Sequence, residues 1–415
     1  MSQLVSCSDN ILIHEYDDPI QKLKIKNPHL YGKINHVTWS HNNHVLASAG
    51  DDGRVVLMKS DNGVEINRFE ITKGFGLNSL WFSNTSQYLI GGSSDNTVRV
   101  FDLKSKKLTA TFSDHSSEVL WVSVSKDENL KVCSSGSDGS IYVNSLDQTD
   151  NLTKLQLNDS SVRSAIFSPM KSNEIGSGHD DGLVAVWDWN KSKRHHLFND
   201  AHTDACTGIW FSPVNHMLMG SVGLDKQVVF YDIYKNKKIV QSIQTKESLT
   251  SVTFNSDGFT IGVGTMEGNL LIMDLRYLSK NPPIILKGHE GKNITSIEFK
   301  KPYKNEKSSK STYSRSRVNK TLKESKSVAG GNNKNGLKNI DAPNFSHETK
   351  EDLLETRSKY NEKDENSLIG DKADHGESMS VRKYSTENIL EESKYSAKKY
   401  TRTDQVVGKK GKTQK

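Results

Sequence analysis

One pattern limits what this chain can fold into more than any other: a short apolar run that returns every 42 to 45 residues. The runs begin at Ile34, Leu77, Val119, Val162, Cys206, Leu249 and Ile294. Each places apolar side chains at its first, fourth and sixth positions, the sixth being Trp39, Phe82, Val124, Phe167, Phe211, Phe254 and Phe299. A spacing of about 40–45 residues suits a unit of four short strands, one blade of a radial β-array. A second marker keeps the same phase. It is an acidic residue followed by a turn former: Asp9-Asn10, Asp52-Gly53, Asp95-Asn96, Asp138-Gly139, Asp181-Gly182, Asp225-Lys226 and Glu267-Gly268. Asp-Gly and Asp-Asn favour tight hairpins because such residues reach positive φ cheaply.

The count settles the topology. There are seven runs and seven turns, but the first turn precedes the first run. Residues near 3–26 therefore supply three outer strands of a blade whose inner strand is Ile294 to Phe299. Pairing the chain ends in this way closes the ring and removes exposed sheet edges. The expected fold is all-β, a seven-bladed β-propeller over residues 1–300 closed by its N- and C-terminal strands. An aromatic–acidic pair ends the third strand of a blade. It is complete at Trp187-Asp188 and degraded at Phe101-Asp102, Tyr231-Asp232 and Met273-Asp274, so the blades resemble WD40 repeats. In WD-repeat propellers a His ahead of the inner strand hydrogen-bonds the turn Asp. Asp114-His115, Ala201-His202 and Gly288-His289 stand at that place.

Beyond residue 300 the period stops, and residues 301–415 read as a disordered Lys/Ser-rich basic tail. Residues 300–415 hold 27 Lys+Arg against 17 Asp+Glu, which leaves 29 against 33 for residues 1–299. A slightly acidic propeller is a poor binder of phosphate backbones, so specific nucleic-acid recognition is not expected. The basic stretch suits the acidic surface of microtubules, or a nuclear localisation signal, through Lys300, Lys301, Lys304, Lys307, Lys310, Arg315 and Arg317. Two weak helical patches lie near residues 348–360 and 386–400. No run of about 18 apolar residues is present to span a membrane, and the first residues do not read as a signal peptide. Cys7, Cys133 and Cys206 lie far apart and read as buried reduced thiols, which implies a reducing compartment.

No catalytic, cofactor or metal constellation emerges. Gly91-Gly92, Gly262-x-Gly264 and Gly330-Gly331 lack the ending and the strand-to-helix setting of a phosphate loop. Metal ligation by the loop histidines is disfavoured because they belong to different blades. The candidates for partner contact are residues that break the inner-strand pattern. At the third position His36 and Trp121 replace a small residue, and Arg163 is the one charge at the second position.

Certain strings resemble one family more closely. They are Phe211-Ser212-Pro213-Val214-Asn215, Val222-Gly223-Leu224-Asp225-Lys226 with Tyr231-Asp232, Asn96-Thr97-Val98 with Asp102 to Lys106, and Asp274-Leu275-Arg276-x-Leu278. They are similar to the centrosomal WD-repeat family first named as neural precursor cell expressed, developmentally down-regulated, the first two strings matching its sixth blade. The resemblance implies a non-enzymatic adaptor at centrosomes and spindle poles that helps recruit the γ-tubulin ring complex for microtubule nucleation and spindle assembly. That family also carries a C-terminal helical segment and proline-directed phosphorylation sites, and neither is read here. A second reading, a substrate receptor of a cullin–RING ubiquitin ligase, rests on Met273-Asp274-Leu275-Arg276, a near-match to Trp-Asp-x-Arg.

Overall fold

The computed structural model describes residues 3–16, 20–126, 130–146, 152–235, 238–278 and 282–302. Lys304, Lys307, Lys310, Arg315, Arg317 and both helical patches lie outside the described residues. Seven four-stranded antiparallel sheets surround a central channel, with no α-helix among the described residues. Counting the composite blade as the first, its inner strand is Ser296–Phe299 and its outer strands are Gln3–Cys7, Asn10–Glu15 and Ile20–Lys26. The inner strands of the second to seventh blades are Ile34–Trp39, Leu77–Phe82, Val119–Val124, Val162–Phe167, Cys206–Phe211 and Leu249–Phe254. Each matches an apolar run of the sequence.

The two ends of the described chain meet in register: Leu4 faces Phe299, Val5 faces Glu298, Ser6 faces Ile297 and Cys7 faces Ser296. Two details differ from expectation. The last inner strand begins at Ser296; ahead of it the Ile294 N–H goes to Thr265 O and the Thr295 N–H to Cys7 O. The turn markers reach positive φ at Gly53, Asn96, Gly139, Gly182, Lys226 and Gly268, but not at Asn10. The first blade's hairpin is shorter. Its last pair is Cys7 with Ile11, whereas the second blade's is Ala49 with Val55.

The core lies between blades. Phe211, 2% exposed, packs with Ile166, Val184, Cys206 and Tyr231 from two adjoining sheets. Glycines of the second strands let the next inner strand approach. A Cβ at Gly178 would stand 2.6 Å from Cys206 Sγ, and one at Gly92 would stand 2.7 Å from Val119 Cγ1. Cys7, Cys133 and Cys206 are all free and buried. Burial pushes the Cys7 and Cys133 thiols up to about 12, so they act as apolar filler.

Polar side chains tie five of the blades from within. His115 Nδ1 lies 3.1 Å from Asp138 while its Nε2 lies 3.0 Å from Ser134 Oγ. His202 does the same with Asp225 and Ser221, at 3.0 and 2.6 Å. His289 keeps only the hydroxyl partner, Ser6, at 2.9 Å. A fourth such histidine, His29, escaped the sequence reading. It bonds Asp52 at 2.7 Å and Ser48 at 3.0 Å. At Gly50 and Gly223 a Cβ would come within 2.8 and 2.6 Å of His29 and His202. The fifth blade has His179 at the corresponding position. That ring, 3.0 Å from Ser177 Oγ, fills the space from the strand itself.

Candidate docking site in the central channel

The third and fifth residues of each inner strand face the channel, so fourteen positions decide what the ring can hold. Most are small. Ile166, Glu298, three tryptophans and a histidine are not, and the four rings converge. Ring centroids of His36 and Trp121 lie 5.3 Å apart, Trp81 and Trp121 6.3 Å, and Trp81 and Trp210 5.8 Å. These rings come from the second, third, fourth and sixth blades. They divide the channel into two cavities, of about 370 and 380 Å³, with Trp81, Trp210 and Glu298 lining both.

The first cavity opens on the face that carries the acidic turns. His36 is buried, and its Nδ1, Trp121 Nε1, Ser164 Oγ and Ser251 Oγ have no hydrogen-bond partner among the described residues. Burial holds His36 down at about 4, partly offset by Glu298, so it is neutral at physiological pH. Neutral rings, hydroxyls and one N–H donor suit peptide recognition. They supply no nucleophile–base pair, and no cluster of metal-ligating groups occurs among the described residues.

Second-position side chains form the rim and join neighbouring blades. Asn35 donates to Leu77 O at 3.0 Å, Asn78 to Val119 O at 2.9 Å, Thr207 to Leu249 O at 2.8 Å, Thr250 to Ile294 O at 2.6 Å and Thr295 to Ile34 O at 2.7 Å. Leu120 and Arg163 break this series. Arg163 turns back to ion-pair with Asp180 of its own blade.

Comparisons with known proteins agree with this architecture. A family model described as Nucleolar protein 10-like, N-terminal domain matches residues 123–341. The Anaphase-promoting complex subunit 4 WD40 domain matches residues 4–78, and the WD domain, G-beta repeat matches 66–102. Protein NEDD1 of Homo sapiens is 33% identical over 269 residues, covering 64% of this chain and 40% of that protein. Protein NEDD1 of Bos taurus is 33% identical over 268 residues with the same coverage. The chain is a NEDD1-like member of the WD-repeat β-propeller family. It spans about 40% of the length of those curated relatives. A chain of the "Crystal Structure of Mitotic Checkpoint Complex" shares the fold, at a TM-score of 0.57 and 20% identity over 63% of this chain and 82% of that one.

Within the NEDD1-like propeller, the sequence-derived candidates fall in different places. His36 and Trp121 meet inside the channel. Arg163 lines the same cavity from the rim with its charge already paired. Lys300 and Lys301 stand at the opposite mouth, their ammonium groups 5.3 Å from the Trp39 ring and 5.9 Å from the Trp81 ring. Arg276 binds Asp274 at 2.7 Å and lies over Phe259. Trp81, Trp210 and Glu298 were missed. The signal was available, since all three occupy the fifth position of the repeat.

Proposed function

We propose that this chain is a non-enzymatic adaptor that concentrates at centrosomes and spindle poles and helps recruit the γ-tubulin ring complex for microtubule nucleation. The observation that carries the reading is the similarity to Protein NEDD1 along 64% of the chain. A rigid seven-bladed disc with a partly filled channel supports it, because such a disc offers convergent loops and strand ends as a docking surface. The basic stretch beginning at Lys300 adds electrostatic attraction to acidic microtubule surfaces. The test is imaging of the fluorescently tagged full chain through mitosis, with γ-tubulin marked in a second colour. Concentration at the poles together with a fall in polar γ-tubulin on depletion is the expected result. Uniform cytoplasmic signal at every mitotic stage would overturn the proposal.

A further inference from the structure

The second cavity opens where the last inner strand leaves the ring, and its wall differs in charge from the first. Lys126, Lys300 and Lys301 line it together with Trp39, Trp81 and Trp210. Among the described residues lining it, Glu298 is the single carboxylate. That carboxylate is already engaged, accepting the Trp39 N–H at 2.9 Å and facing Lys301 Nζ at 2.9 Å. Lys300 donates to the neutral Gln3 side chain at 2.9 Å. Lys126 makes no ion pair among the described residues. Burial, reinforced by the charge of Lys301, lowers its pKa. Among the described residues three cations thus crowd one mouth against one anion, a surplus that a carboxylate ligand relieves.

We propose that this mouth docks an acidic peptide segment of a partner protein, its carboxylates meeting Lys126 and Lys300 and an adjoining apolar side chain entering against Trp210. The tryptophans argue for a peptide over a nucleic acid. Trp81 and Trp210 are packed on each other, and lysine heads sit over Trp39 and Trp81, so few open ring faces remain for base stacking. The site shares two lysines with the basic stretch but does not rest on the centrosomal reading.

A fluorescein-labelled peptide of five glutamates around one leucine, titrated with the full chain at low salt and followed by anisotropy, tests the proposal. The peptide binds and weakens as salt rises, since exposed charge pairs are screened. Lys126→Glu lowers affinity about tenfold and Lys126→Gln by about half that, as expected for one close charge contact. An unchanged thermal transition in either variant shows that the fold is intact. A combined Lys304→Gln, Lys307→Gln, Lys310→Gln variant, with the mouth untouched, keeps affinity within about twofold. The proposal is overturned if the Lys126 variants bind normally while the triple variant loses binding, because the tail alone then holds the peptide. Absence of binding at low salt overturns it too, as does Lys126-dependent displacement of the peptide by single-stranded RNA.

Discussion

In the sixth blade one polar chain crosses the sheet, from Asp225 through His202 and Ser221 to the Tyr231 hydroxyl, which lies 2.6 Å from Ser221 Oγ. In the first blade the same chain is cut at both ends. Asp9 faces outward to Lys292, and His14 stands where Tyr231 would be, with its Nε2 unpartnered among the described residues. The two histidines consequently differ in charge. Burial alone would lower His202, but the Asp225 hydrogen bond, helped by Cys206, outweighs it and holds the ring at about 9. His289 has no such acid beside it, and burial with the charges of His14 and Lys24 brings it down to about 4. The sixth blade, continuous in sequence, is therefore cross-linked from within. The blade assembled from distant segments is held instead by its ladder and its neighbours, including Lys300 N–H to Gln3 O and Trp39 N–H to Glu298.

The strongest way to break this contrast is to remove residues 1–8. Ser296–Phe299 then loses its ladder partner, and circular dichroism should show no cooperative thermal transition. An intact transition would mean that the ring does not need its closure. Phe211→Ala in the sixth blade should cost roughly 3–5 kcal/mol, the usual range for emptying a buried aromatic site. A negligible shift on denaturant titration would contradict the packing described. Asp225→Asn should cost about 2 kcal/mol, because it removes a buried hydrogen bond to a charged ring and leaves His202 to release its proton, as His289 does.

The charge difference also predicts opposite pH arms. His202, raised in the fold, contributes stability that is complete below about pH 6.5 and lost as pH climbs through about 9, worth roughly 2 kcal/mol by pH 8.5. His14, His36, His179 and His289, all depressed to about 4, act the other way. Their contribution is complete above about pH 6.5 and drains away as pH falls toward 4. Melting temperature plotted against pH should peak near neutrality, and His202→Gln should flatten only the alkaline side. The smallest effect belongs to Asp9→Asn, below about 1 kcal/mol, since its pair with Lys292 is solvent-exposed. A loss equal to that of Asp225→Asn would erase the distinction between the blades.

The ring was legible because two markers with different physical origins, apolar runs and acidic turns, keep one period, and a period fixes backbone register. The channel was half legible. His36 and Trp121 stood out within a column of small residues, but Trp81 and Trp210 lie 129 positions apart and meet only because the ring curves back. No local pattern encodes that convergence. His29 was hidden because Pro28 precedes it where the other loop histidines follow Asp, Ala or Gly. Arg163 looked like a contact residue by charge alone, and its partner Asp180 came from the folding of its own hairpin.

Residues 3–26 are synthesised first, yet the strand that completes their sheet emerges nearly 300 residues later. At ribosomal speeds of about 5–20 residues per second, Gln3–Cys7 waits on the order of 15 to 60 seconds for Ser296–Phe299. Throughout that interval the nascent chain presents an open edge able to recruit the wrong strand. Charged residues in the outermost strand of that first sheet, Lys22, Lys24 and Lys26, guard only one side of it. The other side stays open until translation has passed residue 299 and Ser296–Phe299 can pair with it.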